Sequence, residues 1–289
     1  MRQISAKIIE DAVADLAARA NIILRKDVLS ALKSAREGQT NRRAKELFEV
    51  LLENAAVARD KKIALCQDTG MPLVFVELGQ DVHIGGGGLN RAINRGIDKG
   101  YKRGLFRRSV VADPVRRGPQ GYGPAVTHIE IVAGARIRLS VLPKGFGCEN
   151  KARVKMFNPT AELPEINDFI VGVVRDAGAD ACPPYIVAVG IGGTQDYACL
   201  LAKKALLKTI RRPVVFRGLR PPRRAPGDSR RWEQELLREI NRLDIGPMGL
   251  GRKMCCLGVN IETYPTHIAG LPVAVNISCH SLRSATAVI

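Results

Sequence analysis

Residues 63–70, with the sequence IALCQDTG, could carry chemistry. An apolar run ends at Cys66 and is followed directly by an amide, a carboxylate and a hydroxyl. The run predicts a strand end, and the Thr69-Gly70 pair favours a turn. Cys66, Gln67 and Asp68 are therefore expected on a rigid rim, the usual place for binding and catalytic residues. A single cysteine is more often a small buried hydrophobic residue, so the other cysteines decide the interpretation.

Two further cysteines lie at the ends of predicted elements. Cys182 stands before two prolines that fix the backbone, just ahead of an apolar strand over 185–189. Cys279 follows the strand predicted for 273–277. The remaining four cysteines, Cys148, Cys199, Cys255 and Cys256, have less similar surroundings. The odd number, the uneven spacing and the lack of a secretory signal favour reduced thiols that are available as metal ligands.

Other candidate binding residues occur in loops. The turn after Leu142 contains Gly145 and Gly147, which let the backbone approach a ligand and expose N–H groups to an anion, although an ordinary turn fits equally well. Residues 190–194, GIGGT, precede a predicted helix and are similar to an anion-binding helix start. They lack the lysine of a phosphate loop, so a nucleotide site is not supported. His267 lies in the loop before the last predicted strand.

The charge balance is unusual, with 45 basic and 28 acidic residues among 289 and a net charge of +17. Such a chain could bind nucleic acid, attract a small anion or dock an acidic partner. Aromatic residues make up only 4%, which weakens the nucleic-acid interpretation. No apolar run reaches the roughly 18 residues of a membrane span. We therefore expect a cytoplasmic globular protein without nucleic-acid or membrane partners.

Hydrophobic periodicity predicts an α+β fold in which an N-terminal helical layer packs on a mixed, partly antiparallel sheet with flanking helices. The predicted helices cover 6–20, 27–38, 44–55, 89–103, 165–177, 195–208 and 232–243. The predicted strands cover 73–78, 128–133, 136–142, 185–189, 259–261 and 273–277. Strands 128–133 and 136–142 are expected to form a hairpin about Gly134-Ala135, because residues 136–141 alternate strictly between polar and apolar.

Six segments together resemble the alpha subunit, or N-terminal half, of the class I (iron-sulfur) fumarate hydratase and tartrate dehydratase family. They are CQDTG at 66–70, FRRSVVADP at 106–114, PKGFGCEN at 143–150, ACPPYIVAVGIGGT at 181–194, IGPMGLG at 245–251 and THIAGLPVAVNISCH at 266–280. The resemblance implies that three cysteines hold a [4Fe-4S] cluster, at the positions Cys66, Cys182 and Cys279. It also implies that Gln67, Asp68, Arg107, His267 and the turn with Gly145 and Gly147 face the substrate.

The implied chemistry is consistent with these residue types. Three thiolates leave one iron of a cubane cluster open, and that iron can act as a Lewis acid on a hydroxy diacid without redox change. Arg107 suits a substrate carboxylate. Asp68 is a candidate proton donor to the departing hydroxyl, and His267 can bind substrate or shuttle a proton. A zinc site made of the three thiolates and His267 is the simpler metal alternative.

The resemblance implies one domain over 1–289, with a helical layer at 1–60 and the cluster- and substrate-binding part at 61–289. It also implies a separate beta subunit, with an expected stoichiometry of α2β2, that completes the active site. Reversible hydration of fumarate to L-malate is the expected reaction, because residues 190–207 and 246–251 look more like the fumarase branch. L-tartrate dehydratase and mesaconate hydratase are the alternatives. A non-catalytic basic nucleic-acid-binding or scaffold protein is the alternative from another class.

Several positions depart from the family pattern. Cys148 stands where the family more often has serine, and Cys255 and Cys256 stand where small residues are usual. The loop 116–124 lacks an expected Asn-Thr-Gly, and the Arg-rich segment 217–231 is atypical. Additional thiols near a cluster could act as adventitious ligands or become oxidised.

Overall fold

The structure is a computed structural model that describes residues 1–210, 229–252 and 254–289. Residues 217–228 of the Arg-rich segment therefore lie outside the described residues. Helices and mixed sheets confirm the predicted α+β class. The chain divides into two compact units, one of residues 1–25, 53–146 and 283–289 and the other of residues 26–52 and 147–282. The expectation of one catalytic domain over 1–289 stays a prediction.

The elements of the N-terminal half are β1 (Arg2–Ser5), α1 (Ala6–Ile22), α2 (Lys26–Glu37), α3 (Arg42–Lys61), β2 (Met71–Gly79), β3 (Val82–Gly85), α4 (Leu89–Arg103), β4 (Val110–Asp113), β5 (Arg117–Gly121), β6 (Val126–Val132) and β7 (Ile137–Lys144). Those that follow are α5 (Phe146–Glu149), β8 (Arg153–Phe157), α6 (Leu163–Ala177), β9 (Tyr185–Gly193), α7 (Gln195–Ala205), α8 (Ser229–Ile240), β10 (Cys256–Thr266), β11 (Leu271–Ser278) and β12 (Ala285–Val288). The three N-terminal helices and the helix after residue 89 are confirmed.

The first unit is built on a four-stranded sheet of order β12-β7-β2-β6. Helix α1 packs its apolar stripe, which includes Ile9, Val13 and Leu16, into the core of this unit. Helix α4 crosses α1 at close range, because a Cβ on Gly96 or Gly100 would lie 2.6 or 2.5 Å from an α1 carbonyl oxygen. Glycine at these two positions therefore allows the helices to touch, and the resulting layer supports the sheet.

The predicted hairpin between β6 and β7 is wrong. Both strands instead pair with β2, β6 in parallel and β7 in antiparallel orientation, so β2 lies between them. The alternation of polar and apolar residues predicted the strands correctly but carries no information on their neighbours. Residues 73–76 of β2 are buried throughout, which suits a central strand, whereas Ile129 and Ile131 of β6 are exposed at the sheet edge.

The predicted strand end at residues 63–66 is also wrong. These residues form a loop between α3 and β2. The Leu65 N–H donates to the Asn21 carbonyl at 2.9 Å, and the Asn54 side chain donates to the Leu65 carbonyl at 3.0 Å. Helical residues therefore satisfy the backbone groups that a neighbouring strand would otherwise satisfy.

The second unit contains a four-stranded sheet of order β10-β9-β11-β8. Strand β9 pairs in parallel with β10 and in antiparallel with β11. The strand continues to Gly193, so the glycines expected to open a helix belong to the strand, and Thr194 is the N-cap of α7. A Cβ on Gly190 would lie 2.0 Å from the Ala198 carbonyl oxygen, so glycine lets α7 pack against its own strand. Among the described helices, none has the length and apolar character needed to cross a bilayer.

Candidate functional site

The loop of residues 66–70 is fixed to the first unit by several hydrogen bonds. The buried Tyr101 hydroxyl donates to the Thr69 carbonyl at 2.9 Å, and the Thr69 hydroxyl donates to the Arg107 carbonyl, also at 2.9 Å. The Arg107 guanidinium in turn donates from Nη1 to the Gln67 side-chain oxygen at 3.0 Å. Gln67 and Arg107, predicted from separate motifs, are therefore brought together. Both side chains are exposed, so the other N–H groups of Arg107 are accessible to a ligand.

Asp68 links the loop to the predicted glycine turn. Its Oδ1 accepts from the Gly70 N–H and its Oδ2 from the Phe146 N–H, both at 2.9 Å. A Cβ on Gly145 would lie 3.2 Å from Oδ2, closer than most real Cβ contacts, so glycine leaves room for the carboxylate. The carboxylate is thus fixed as a hydrogen-bond acceptor. Each of the two oxygens retains a second lone pair that can accept another hydrogen bond.

Replacement of Gly70 by alanine is expected to destabilise the protein by about 2 kcal/mol or more. Gly70 has a φ of +72°, and an added Cβ would lie 2.8–2.9 Å from three backbone atoms of Lys144. Thermal unfolding measures the effect, with Gly85→Ala as the matched control. A Cβ added at Gly85 would meet no atom within 4 Å, so that variant should stay within about 0.5 kcal/mol of the wild type. Equal unfolding temperatures for the two variants would show that the close approach at Gly70 tolerates a side chain.

Arg283 is a residue of this loop region that the sequence did not single out. Its side chain is buried, with 4% exposure, and its Nη2 donates to the Asp68 carbonyl. Within the described part of the chain, its Nε and Nη1 have no hydrogen-bond partner. The one sequence feature that could have drawn attention to Arg283 is its position four residues after Cys279. In a chain with 45 basic residues, that position alone does not distinguish it.

Cys182 and Cys279 both lie in the second unit. Cys182 is exposed and has a φ of +58°, a left-handed conformation that is uncommon outside glycine and often marks functional positions. His280 Nδ1 lies 3.1 Å from the Cys182 carbonyl oxygen, and because a carbonyl only accepts, Nδ1 carries the proton. This bond ties the residue after Cys279 to Cys182.

The environment of Cys279 favours a thiolate, which is the metal-binding form of cysteine. A hydrogen bond from the Cys148 thiol is the largest cause that lowers the pKa of Cys279 well below its usual range. The charge of His280 and hydrogen bonds from Ser281 act in the same direction and together outweigh burial. The Cys279 sulfur lies 3.0 Å from the Ser281 hydroxyl oxygen.

Several of the other cysteines differ from Cys279 in their burial or in the pKa of their thiols. Burial raises the pKa of Cys255 to about 11, and burial also raises the pKa of Cys256 and of Cys199. The Cys255 thiol donates to the Ile240 carbonyl at 2.8 Å, which is a structural contact. Cys148 is buried, and its sulfur also lies 3.3 Å from the Ala181 carbonyl oxygen, next to Cys182. All seven cysteines are thiols rather than disulfides, and Cys66, Cys182 and Cys279 are among those that are not fully buried.

The remaining predicted residues are exposed in the second unit. His267 lies just beyond β10 and its Nδ1 accepts from the Ala269 N–H at 3.2 Å, which leaves Nε2 for another partner. Gly147 has no atom within 4 Å of an added Cβ, so protein packing does not require glycine there. Across residues 1–210, 229–252 and 254–289, no group of three or more His, Cys, Asp or Glu side chains is arranged to hold a metal ion.

Nearly the whole chain matches a known protein family. The family described as Fumarate hydratase (Fumerase) matches residues 10–288. A protein of Methanocaldococcus jannaschii, provisionally named L(+)-tartrate dehydratase subunit alpha, is 34% identical over 283 residues, which cover 96% of each chain. The L(+)-tartrate dehydratase subunits alpha of Escherichia coli and Shigella sonnei are each 28% identical over 281 residues, covering 96% of this chain and 89% of theirs.

These matches agree with the motifs around Cys66, Cys182 and Cys279, and they extend over the N-terminal helices where no motif was recognised. The names of the relatives point to tartrate, the alternative substrate, more than to fumarate. The chain belongs to the fumarate hydratase (Fumerase) family of hydro-lyases.

Proposed function

We propose that this chain is the alpha subunit of an iron-sulfur hydro-lyase that acts on a small hydroxy dicarboxylate, with L-tartrate as the preferred substrate. The observation that carries the proposal is the fixed loop after Cys66. It brings an amide, a carboxylate and a guanidinium together beside a candidate ligand thiol. This is the set of groups needed to bind a diacid and move a proton.

Cys66, Cys182 and Cys279 would hold the [4Fe-4S] cluster. All three are thiols and at least partly accessible, and the environment of Cys279 favours the thiolate. Cys255 and Cys256 are poor candidates because burial raises the pKa of both thiols. When bound, a cluster with three cysteine ligands supplies an iron with an open position that polarises a substrate hydroxyl and carboxylate.

The protein groups have separate tasks. Arg107 binds a substrate carboxylate, and Gln67 orients its guanidinium through the 3.0 Å hydrogen bond. Asp68 transfers a proton at the reacting hydroxyl, held in place by the N–H groups of Gly70 and Phe146. His267 presents Nε2 for a hydrogen bond or a proton shuttle. The turn with Gly145 and Gly147 lets the substrate approach the backbone.

A beta subunit is proposed to complete the active site, in an α2β2 assembly. The relatives are named as alpha subunits, which supports a partner chain. The net charge of +17 would favour both the attraction of a dianion and contact with an acidic partner. A cytoplasmic location remains part of the proposal, since it would keep the thiols reduced.

Tartrate is preferred over fumarate and mesaconate on the names of the relatives. Tartrate has one more hydroxyl than malate, and a site that hydrogen-bonds this hydroxyl discriminates strongly against a substrate that lacks it. Methylfumarate differs by a methyl group, for which discrimination is only about 10–200-fold. The preferred substrate can therefore be identified by comparing kcat/KM for the candidate diacids.

The test is anaerobic co-production of this chain with the beta-type chain of the same source, followed by assay of L-tartrate, L-malate, fumarate and methylfumarate. We expect kcat/KM for L-tartrate to exceed the others by at least about tenfold. The chain produced alone should have less than about 1% of the rate of the complex, because groups from the partner would be missing. A higher kcat/KM for malate and fumarate would establish a fumarase instead. Full activity of the chain alone would contradict the two-subunit site.

A further inference from the structure

Arg283 is a buried cation whose hydrogen-bonding capacity is mostly unused. Of its three guanidinium nitrogens, Nη2 donates to the Asp68 carbonyl, while Nε and Nη1 have no partner among the residues that the structure describes. The side chain is only 4% exposed, so water cannot freely replace the missing partners. A buried charge without a partner is costly, and arginines are rarely buried unless they are paired. This arrangement needs a compensating negative charge.

Tyr101, a buried ionisable side chain near Arg283, does not supply that charge. Tyr101 is close enough for the charge of Arg283 to act on its hydroxyl, and burial raises the pKa of Tyr101 to about 12. The phenol therefore stays neutral at physiological pH and donates to the Thr69 carbonyl. The Asp68 carboxylate also acts on the Tyr101 hydroxyl, but its two oxygens accept from the N–H groups of Gly70 and Phe146. Nε and Nη1 of Arg283 still have no partner among the described residues, so a negatively charged ligand at the loop would add to the stabilisation of this cation.

Two arginines act on consecutive residues of one loop. Arg107 Nη1 donates to the side chain of Gln67, and Arg283 Nη2 donates to the backbone of Asp68. Arg107 is exposed and Arg283 is buried, so one can contact an incoming anion directly while the other acts through the loop. A ligand with two carboxylates carries the charge that this pair of cations favours.

We propose that Arg283 is a positioning residue for the diacid: it fixes the Asp68 backbone and places a buried positive charge against the loop on which a substrate carboxylate binds. This inference rests on the proposed function, because the diacid is the substrate class proposed above. It predicts that loss of the charge weakens binding of any small diacid, including one that cannot react. A purely structural arginine would affect folding stability instead.

The experiment compares Arg283→Gln and Arg283→Lys in the anaerobic complex, with Arg138→Gln as the matched control. Arg138 lies in the same unit and is about half exposed, paired with Glu77, so its replacement changes the net charge equally. The readouts are KM, kcat, iron content, unfolding temperature and the inhibition constant of succinate, a diacid without a departing hydroxyl. We expect Arg283→Gln to raise KM and the succinate constant by about 10–100-fold with normal iron content. For Arg283→Lys, the increase in the logarithm of the succinate inhibition constant should be at most half of that for Arg283→Gln. For Arg138→Gln, KM and the succinate inhibition constant should stay within about twofold of the wild type.

Succinate constants within twofold of the wild type in Arg283→Gln would overturn the inference. It would also be overturned if Arg283→Lys lost as much affinity as Arg283→Gln, since the charge would then be irrelevant. If Arg283→Gln does not fold, the lysine variant alone decides the question. Because lysine retains the positive charge, the inhibition constant of succinate for Arg283→Lys should be less than about tenfold above that of the wild type. A wild-type complex that turns over none of the diacids would instead refute the proposed function, while succinate binding would still report on Arg283.

Discussion

Replacement of Cys279 by serine is expected to remove most iron and sulfide from the protein and to lower diacid turnover by about a thousandfold or more. Such a loss corresponds to ~4 kcal/mol of transition-state stabilisation, the scale expected for removal of a Lewis acid. The surroundings of Cys279 favour the anionic form of its thiol, through the hydrogen bond from Cys148 and the charge of His280. A serine hydroxyl is a much poorer ligand for iron than a thiolate.

The matched control is Cys199→Ser. Cys199 is also a thiol and partly buried, but it lies on α7 and burial raises its pKa. This variant should retain its iron and at least about half of the turnover, because it removes a thiol outside the proposed ligand set. Iron content by anaerobic analysis separates the two variants. Equal iron in Cys279→Ser and the wild type would remove Cys279 from the ligand set.

Replacement of Asp68 by asparagine is expected to lower kcat by about 10²–10⁴-fold while the iron content stays near that of the wild type. The amide cannot take up a proton, and its NH₂ group cannot accept from the Phe146 N–H as Oδ2 does. The change therefore removes the proposed proton carrier and weakens the hydrogen bond between residue 68 and the glycine turn. Steady-state kinetics with iron analysis on the same preparation gives the measurement.

Asp113→Asn provides the comparison, because Asp113 also accepts from two backbone N–H groups, those of Val115 and Arg116, and lies in the same unit. Its loss tests the effect of a weakened turn without a proposed catalytic carboxylate. We expect kcat within about twofold of the wild type for this variant. An equal fall in kcat for the two asparagine variants would show that Asp68 acts only as a turn residue.

The sequence was sufficient for the elements that follow from periodicity. Helices α1 and α4 present apolar residues at helical spacing, and both begin and end within a few residues of the predicted positions. Strands β9 and β11 are apolar runs that the sequence also located, although β9 extends through its glycines to Gly193. The hydrophobic pattern within each segment was informative here, because the apolar residues that each element buries occur at the spacing typical of its secondary structure.

Relations between distant segments were less predictable. The insertion of β2 between β6 and β7 depends on which strand is buried on both faces, and alternation within each strand does not report that. The loop at residues 63–66 has the apolar composition of a strand, but Asn21 and Asn54 bond its backbone. Tertiary hydrogen bonds of this kind are invisible in a single sequence.

In the candidate site as well, the sequence identified individual residues but not the contacts between them. The pairing of Gln67 with Arg107 and the contact of Asp68 with the Gly145 turn join residues that were proposed from separate motifs. Arg283 was missed, because the features that distinguish it are its burial and its N–H groups without a partner among the described residues, and neither can be read from composition or spacing.

The most direct measurement is the iron and acid-labile sulfide content of the anaerobically assembled complex, together with its turnover of L-tartrate. A [4Fe-4S] cluster on Cys66, Cys182 and Cys279 predicts about four irons and about four sulfides for each copy of this chain, and turnover that rises in proportion to iron content. A colourless complex that turns over the diacid at full rate with no iron, or with zinc in its place, would contradict the proposed iron-sulfur centre.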